Sequence, residues 1–209
     1  MFVRHVMTQD VYTLSRQTTC RQAFQEFRTR RIRRAPVVDH GQLAGIVTLH
    51  DLLRVLPGTV SQEQTAAGHI AADLPVDTIM QHPVRTVHPN DHLETAALLM
   101  LEHKVGALPV VRDGEIAGIL TESDIFRALW GVLSSGTGWR LIVEEHPGGE
   151  EVDYAAVLRS HGAKLESLVR FPVPAGGGVV FVRSICGEPD PVVASLWAAG
   201  VTVLQVGRK

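Results

Sequence analysis

The stretch Ala44-Gly45-Ile46-Val47-Thr48-Leu49-His50-Asp51 decides the fold, and it returns as Ala117-Gly118-Ile119-Leu120-Thr121-Glu122-Ser123-Asp124. Each copy predicts a short buried strand that runs into the start of a helix, with a threonine and, three residues later, an aspartate at the junction. A helix start carries free backbone N–H groups and the positive end of the helix dipole, which favour an anion. The hydroxyl can donate to a phosphate, and the carboxylate can accept from ribose hydroxyls. The spacing is therefore suited to a nucleotide, and the chain carries it twice.

The two stretches belong to a longer duplication with a constant offset. The differences Met80 − Met7, Pro109 − Pro36, Gly118 − Gly45 and Asp124 − Asp51 are all 73. Many further positions coincide at the same offset, and the alignment needs neither an insertion nor a deletion. Fixed-register identity over such a length predicts one folded unit copied in tandem.

Within each copy the pattern predicts the order β-α-β-β-α after a short helical lead segment that ends in methionine. The first helix is expected to be capped by Thr18 in copy one, and by a capping box of Asp91 and Glu94 in copy two. The dipeptides His40-Gly41 and Asp113-Gly114 predict tight hairpin turns. The lead segments, strands and closing helices are predicted at 3–7 and 76–80, 11–14 and 84–87, 35–38 and 108–111, 43–47 and 116–120, and 51–56 and 124–129.

A third segment follows the duplication and has a different pattern. Its apolar runs predict strands at 140–145, 165–171, 179–185 and 201–206, with helices at 152–161 and 191–199, in the order βαββαβ of a ferredoxin-like unit. The predicted fold class is therefore α/β (α+β). The predicted organisation is repeat 1 at 1–56, a connector at 57–75, repeat 2 at 76–131, a linker at 132–138 and the last domain at 139–209.

Composition excludes several classes of function. The chain has 209 residues, of which 45% are hydrophobic and 20% charged, as in a soluble globular protein. Its net charge of −2 offers no field for nucleic acid or an anionic membrane, and no apolar run approaches the ~20 residues of a membrane span. The distant Cys20 and Cys186 indicate a reducing cytoplasm. No catalytic or metal-binding motif is present, and His82, His88 and His92 are spaced poorly for a metal, so we expect no enzyme and no obligatory cofactor.

The duplicated unit resembles the CBS (cystathionine-β-synthase) domain, and the pair resembles the tandem CBS module. The similarity covers about residues 1–130. It rests on Met7 and Met80, on Ala35-Pro36-Val37-Val38-Asp39 and Leu108-Pro109-Val110-Val111, and on Gly-hydrophobic-hydrophobic-Thr-x-x-Asp in both copies.

The last segment resembles an ACT-type domain. Its turn Glu145-His146-Pro147-Gly148 is similar to the turn after the first ACT strand, although Gly149-Glu150-Glu151 departs from that pattern. A CBS pair followed by an ACT-like domain is the arrangement of the acetoin-utilisation regulatory type of protein.

The resemblance implies two clefts between pseudo-two-fold repeats, which in this family commonly bind adenosine nucleotides (AMP, ADP or ATP). By position, Asp51 and Asp124 would hold ribose hydroxyls, and Thr48 and Thr121 would touch the α-phosphate. The adenine would lie against Ile32, Pro36 and Val37 in one cleft, and against Val105, Pro109 and Val110 in the other.

Two further candidates come from the residues themselves. Arg33, in a basic run at 28–34, can offer paired donors to phosphate oxygens or belong to a solvated face. His50 can point into the cleft or stay on the surface. The matching stretch at 102–106 is far less basic, which predicts clefts that prefer different phosphate lengths. Helix capping is the competing explanation of both Thr-x-x-Asp elements.

The sequence leaves several functions open. The first is a regulatory protein that senses adenine nucleotides, forms a homodimer and signals to an unknown protein partner. The second is a dimeric adaptor with empty clefts, and a related alternative is amino-acid sensing through the ACT-like domain. The third is an enzyme whose active site carries no recognisable motif.

Overall fold

The computed structural model describes residues 1–56, 73–134, 138–174 and 176–208, with only the backbone described at 132–134. The chain divides into two compact units, Met1–Phe126 and Arg127–Lys209. Most of the predicted connector, residues 57–72, lies outside the described residues.

The first unit contains both repeats around one mixed sheet. Its strands are β1 (Leu14–Ser15), β2 (Arg34–Asp39), β3 (Gln42–Thr48), β4 (Ala107–Arg112) and β5 (Glu115–Thr121). Its helices are α1 (Cys20–Arg30), α2 (Leu49–Val55), α3 (Leu93–His103) and the start of α4 (Glu122–Ser134), with 3-10 turns at Val3–His5 and Val76–Thr78. The sheet order is β1-β2-β3-β5-β4, and the two repeats join where Gln42 of β3 pairs with Glu115 of β5.

Both predicted hairpin turns are confirmed. His40 and Gly41 have φ values of 48° and 83°, and Asp113 and Gly114 have φ values of 52° and 87°. Two successive residues with positive φ make a turn whose twist matches that of the flanking antiparallel strands. These turns fix the register of β2 on β3 and of β4 on β5, and so place Thr48 and Thr121 at equivalent strand ends.

The predicted helix caps are displaced. Thr19, not Thr18, caps α1: its Oγ1 accepts from the Gln22 N–H at 3.2 Å, and the Gln22 side chain accepts from the Thr19 N–H at 3.0 Å. Helix α3 begins after His92, which makes no side-chain cap, so the capping box of Asp91 and Glu94 is wrong. The Asp91 carboxylate instead accepts from the His88 N–H at 2.7 Å, which closes the preceding turn.

The predicted first strands are mostly absent from the described residues. In repeat 1 only Leu14–Ser15 pairs, in parallel with β2. In repeat 2, Val87 alone pairs with Val110, donating its N–H to the Pro109 carbonyl at 3.1 Å. The segment at 84–87 is bounded by Pro83 and Pro89, which have no N–H to donate to a ladder, so the strand does not extend.

The lead segments are exchanged between the repeats. Val3, Val6 and Met7 pack into the core of repeat 2, around Leu108, Val110 and Leu120. Val76, Ile79 and Met80 pack into the core of repeat 1, around Val37, Val47 and Phe27. Thr8 and Ile119 exchange backbone hydrogen bonds, as do Gln81 and Ile46. Each repeat therefore completes its core with a segment of the other.

Two glycines make the exchange possible. A Cβ at Gly45 would lie 2.5 Å from Met80 Sδ, and a Cβ at Gly118 would lie 2.9 Å from Met7 Sδ and 2.8 Å from the Thr8 carbonyl oxygen. The methionines that end the lead segments therefore lie directly over the glycines of β3 and β5. This contact explains why the sequence repeats both residue types at the same offset.

The second unit shows the βαββαβ order expected from the sequence. Its elements are β6 (Trp139–Glu145), α5 (Tyr154–Ser160), β7 (Leu165–Pro172), β8 (Gly178–Ser184), α6 (Pro189–Ala198) and β9 (Thr202–Arg208). The sheet order is β7-β8-β6-β9, with every pair antiparallel. Leu141, Tyr154, Leu158 and Leu196 are among the buried residues of its core.

Helix α4 extends further along the chain than the sequence predicts. Helix α4 runs to Ser134, into the range 132–138 that the sequence predicts as a linker. A single internal glycine costs only about 1 kcal/mol in a helix, which is why Gly131 does not end it.

Among the described helices, none has the length and apolar character needed to cross a membrane.

Candidate functional site

Thr48 and Asp51 form a reciprocal cap at the start of α2. The Asp51 carboxylate accepts from the Thr48 hydroxyl at 2.6 Å and from the Thr48 N–H at 2.9 Å, while Thr48 Oγ1 accepts from the Asp51 N–H at 3.3 Å. Gln81, which follows the lead segment of repeat 2, donates through Nε2 to both Asp51 oxygens at 3.2 Å. The capping explanation therefore holds for this pair, and Asp51 also ties α2 to the other repeat.

Thr121 and Asp124 repeat the cap at the start of α4. The Asp124 carboxylate accepts from the Thr121 hydroxyl at 2.7 Å and from the Thr121 N–H at 2.9 Å. Asp124 is only 5% exposed, whereas Asp51 is half-buried. The two predicted ribose ligands therefore differ in accessibility, and Asp51 is the more open of the two.

An open cleft of about 550 Å³ lies beside the first of these caps. Its volume is within the range of small-molecule sites. It is lined by Arg33, Arg34, Ile46, Thr48, Leu49, His50, Leu53, Gln81, Pro83, Val84, Arg85, Lys104, Val105, Gly106 and Ala107. Residues of both repeats contribute, because the start of α2 faces the segment that precedes β4.

The cleft gathers four of the predicted site residues, Arg33, Thr48, His50 and Val105. Asp51 is connected to the cleft by a hydrogen bond, because its carboxylate accepts from the lining residue Gln81. In this cleft, Thr48 of repeat 1 lies together with Val105 of repeat 2.

The other predicted adenine contacts do not line this cleft. Val37 and Val110 are 0% exposed and belong to the two cores, and Pro36 and Pro109 are buried beside them in β2 and β4. The exchanged lead segments pack into the cores that contain Val37 and Val110, so a ligand in this cleft cannot rest on these two side chains. Ile32 is half-buried against the core of repeat 1.

The cleft is strongly basic. Arg33, Arg34, Arg85 and Lys104 line it, and none of the described residues that line it carries a carboxylate. Burial, and then the like charge of Arg33, lower the pKa of Arg34, while Glu122 acts in the opposite direction. A Cβ at Gly106 would lie 2.8 Å from Arg34 Nη1 and 3.0 Å from Glu122 Oε2, so these two groups flank the same backbone.

Sequence reasoning missed Arg85, Lys104, Leu49 and Gln81 as site residues. The available signal was the pseudo-two-fold relation, which brings the closing helix of one repeat to the strands of the other. Because the lead segments are exchanged, Gln81 could be placed only once the partner of each methionine was known. As for metal ions, the described part of the chain contains no cluster of three or more His, Cys, Asp or Glu side chains that could hold one.

The second unit has its own surface cavity of about 440 Å³, lined in part by Glu145, His146, Glu150, Glu151 and Arg170. Glu145 Oε1 accepts from Tyr154 OH at 3.0 Å and from Arg170 Nη2 at 2.9 Å. Burial, and then the hydrogen bond to Glu145, raise the pKa of Tyr154 well above its ordinary value. The phenol therefore stays protonated and the carboxylate is held in place.

The exchanged repeats, the shared sheet and the cleft between them define a tandem-repeat module in which each repeat completes the core of the other. The chain belongs to the CBS-domain family: the family model of the CBS domain matches residues 3–58 and 76–131, which together make up more than half of the chain. The predicted tandem CBS pair is thereby confirmed.

Three relatives illustrate the similarity. A protein assigned to acetoin utilization (AcuB) from Vibrio cholerae is 33% identical, with a TM-score of 0.54, over 64% of this chain and 93% of its own. The structure of CBSX2 in complex with AMP is 29% identical, with a TM-score of 0.53, over 63% of this chain and 97% of its own. An uncharacterized 33.4 kDa protein in a ribosomal RNA operon of Thermofilum pendens is 36% identical over 133 residues, 61% of this chain.

These similarities are concentrated in the first unit. The chain spans only 43%, 42% and 40% of the length of three curated relatives that it matches. CBS pairs are regulatory modules that occur within proteins of varied size, and several of them bind nucleotide ligands, as the AMP complex of CBSX2 illustrates.

Proposed function

We propose that this chain is a non-enzymatic regulatory protein that binds an adenine nucleotide in the cleft between its CBS repeats. The observation that carries the proposal is the cleft itself: a hydroxyl (Thr48), an apolar wall (Val105, Leu53) and several cations (Arg33, Lys104 among them) meet in one open space. These groups are complementary to the three parts of a nucleotide. The AMP complex of the relative CBSX2 supports the same ligand class.

The proposed placement assigns each part of the nucleotide to a side chain. The phosphates lie against Arg33, with Thr48 and His50 nearby, and the adenine packs on Val105. The ribose hydroxyls bond to Asp51 and replace Gln81, whose Nε2 is 3.2 Å from both carboxylate oxygens. The equivalent position at Thr121 and Asp124 is less accessible to a ligand, because Asp124 is only 5% exposed.

This placement gives a route by which nucleotide binding changes the arrangement of the two repeats. Gln81 belongs to repeat 2 and Asp51 to repeat 1, so a ribose that displaces Gln81 removes one of the contacts between the repeats. A ligand shifts a conformational equilibrium only by its differential affinity for the two arrangements. The Asp51–Gln81 contact provides such a difference, because it is present only in the ligand-free arrangement.

A second candidate function, a ligand-free interaction adaptor, is favoured by one observation. The polar groups of Thr48 and Asp51 are already satisfied by the cap and by Gln81. A cleft whose polar groups bond to one another does not require a ligand. The two candidates differ in a simple respect: only the first predicts stabilisation by nucleotides.

We assign the second unit, as a proposal, to the ACT type, which would make the chain similar in arrangement to the acetoin-utilisation regulators. The support is its βαββαβ order and the AcuB relative of the first unit. Small-molecule sensing, for example of an amino acid, would use the cavity between Glu145 and Arg170. A panel of amino acids in a thermal-shift assay of the whole chain tests this part separately.

A homodimer is also part of the proposal. Leu53 of α2 and Phe126 of α4 are 55% and 68% exposed and occupy equivalent positions in the two repeats, since 126 − 53 = 73. Large apolar side chains exposed at pseudo-symmetric positions are typical of an interface. A reducing, cytoplasmic setting agrees with the free thiols of Cys20 and Cys186. We expect Phe126→Glu to convert a dimer to a monomer in light scattering.

The central experiment is a thermal-shift titration with adenosine, AMP, ADP, ATP and GTP. A ligand at 100 times its Kd should stabilise the protein by about 2.7 kcal/mol. Asp51→Asn removes the charge that the ribose hydroxyls bond to and should weaken binding roughly 10-fold or more, the range of a charged hydrogen bond. Asp113→Asn, the same change in an exposed turn, is the matched control. Absence of stabilisation by every nucleotide would favour the adaptor.

A further inference from the structure

The two repeats differ in charge at positions that their offset makes equivalent. Leu49 lines the cleft, whereas its counterpart in repeat 2 is Glu122, since 122 − 49 = 73. Arg85 lines the cleft, whereas its counterpart in repeat 1 is Tyr12, since 85 − 12 = 73. At these two positions the cleft beside Thr48 has an apolar side chain (Leu49) and a cation (Arg85). The equivalent residues of the matching surface beside Thr121 are a carboxylate (Glu122) and a phenol (Tyr12).

The counterpart positions are also already occupied by internal contacts. The Arg30 guanidinium lies over the Tyr12 ring, 4.2 Å from its centroid. The Glu122 carboxylate and the Arg34 guanidinium both lie about 3 Å from the place of a Cβ on Gly106, so that arginine is partly neutralised from the side of repeat 2. An anion approaching Thr121 therefore meets a carboxylate in the position where Leu49 lies beside Thr48.

The other three cations of the cleft lack such compensation. Within the described ranges, Arg33, Arg85 and Lys104 have no carboxylate within the 4.0 Å of an ion pair. Arg33 and Arg34 are adjacent cations, and like charges in one pocket repel unless an anion lies between them. Each phosphate beyond the first adds about one negative charge at neutral pH, so a longer chain compensates more of this set.

We propose that each chain binds a single nucleotide with two or more phosphates, in the cleft beside Thr48, and that Glu122 excludes such a ligand from the equivalent position beside Thr121. The proposal rests on the proposed nucleotide-binding function and specifies its phosphate length and its stoichiometry. Arg85 and Lys104 act on the second and third phosphates. Glu122 is a specificity residue that acts by repulsion, which is a recognised route to discrimination between ligands.

The test is isothermal titration of the full chain with adenosine, AMP, ADP and ATP in buffer containing EDTA, at low and high salt. We expect ATP to bind at least 10-fold more tightly than AMP, with one ATP per chain, and its affinity to fall steeply with salt. Arg85→Gln and Lys104→Gln should each reduce the ratio of ATP to AMP affinity at least threefold. Arg112→Gln, on the exposed end of β4, should leave the ratio unchanged.

Glu122→Leu tests the stoichiometry, because it places at position 122 the residue found at the equivalent position 49. It should raise the stoichiometry of ATP towards two, and Glu122→Gln, which keeps the side-chain shape, should do so partially. Equal affinity for AMP and ATP, or two ATP molecules per wild-type chain, would overturn the inference while leaving nucleotide binding intact. Failure of all four ligands to bind would overturn the proposed function as well.

Discussion

Substituting Gly45 by alanine tests the exchange of lead segments, on which the geometry of the cleft depends. The added Cβ would lie 2.5 Å from Met80 Sδ, 2.8 Å from Met80 Cγ and 3.2 Å from the Gln81 carbonyl oxygen. Carbon atoms pack best at about 3.5–4.0 Å, so the thioether must move by about 1 Å, and the backbone oxygen cannot be relieved by a side-chain rotation. Overpacking of this kind costs about 1–3 kcal/mol.

The assay is urea denaturation monitored by far-UV circular dichroism, together with thermal melting. The expected loss corresponds to a fall in Tm of roughly 2–12 °C for a chain of this size. Gly131→Ala is the matched control, because nothing lies within 4 Å of the added methyl group in helix α4. It should stabilise the protein by up to about 1 kcal/mol.

A double-mutant cycle makes the test specific to the contact. The Cβ added at Gly45 would contact the Met80 side chain, so the stability effects of Gly45→Ala and Met80→Ala should be coupled. The double variant should be more stable than the sum of the two single effects predicts. A Gly45→Ala protein as stable as the wild type, or a cycle without coupling, would show that Met80 does not pack on β3 and would refute the exchange.

Three further outcomes follow from individual contacts. Thr19→Ala should cost about 1 kcal/mol by removing the α1 cap, and Thr18→Ala should cost less; equal losses in urea melts would contradict the cap assignment. Because the pKa of Tyr154 is raised in the folded state, the unfolded chain loses its phenol proton first as pH rises. The free energy of unfolding should therefore fall as pH rises above the ordinary tyrosine pKa of 10.0. Tyr154→Phe should remove that part of the pH dependence. Cys186 is exposed, whereas Cys20 is buried and burial raises the pKa of its thiol. A disulfide reagent should therefore react with one thiol in the native protein and with two in denaturant. Two fast-reacting thiols in the native protein would contradict the burial of Cys20.

The sequence was sufficient for the parts of the fold that local chemistry or the repeat determines. A constant offset, with turn dipeptides that accept positive φ at His40-Gly41 and Asp113-Gly114, predicted both hairpins and the equivalence of Thr48 and Thr121. The element order of the second unit followed from apolar runs separated by Gly162 and Gly200, both of which have positive φ.

Other features depend on long-range packing and were not predictable from the pattern. An offset states that two copies are alike, but it does not say whether Met7 packs on its own copy or on the other. Val37 and Val110 were expected at a ligand because of their place in a motif, yet the exchanged segments bury them completely. The caps were displaced because Thr18 and Thr19 are adjacent candidates and only the backbone geometry selects between them.

A crystal structure of the complex with ATP tests the central claim most directly. The account predicts phosphate oxygens within hydrogen-bonding distance of Arg33 and ribose hydroxyls bonded to Asp51, with the Gln81 side chain displaced from its present contact. A structure grown in saturating ATP in which the cleft holds only solvent and Gln81 still bonds to Asp51 would contradict it.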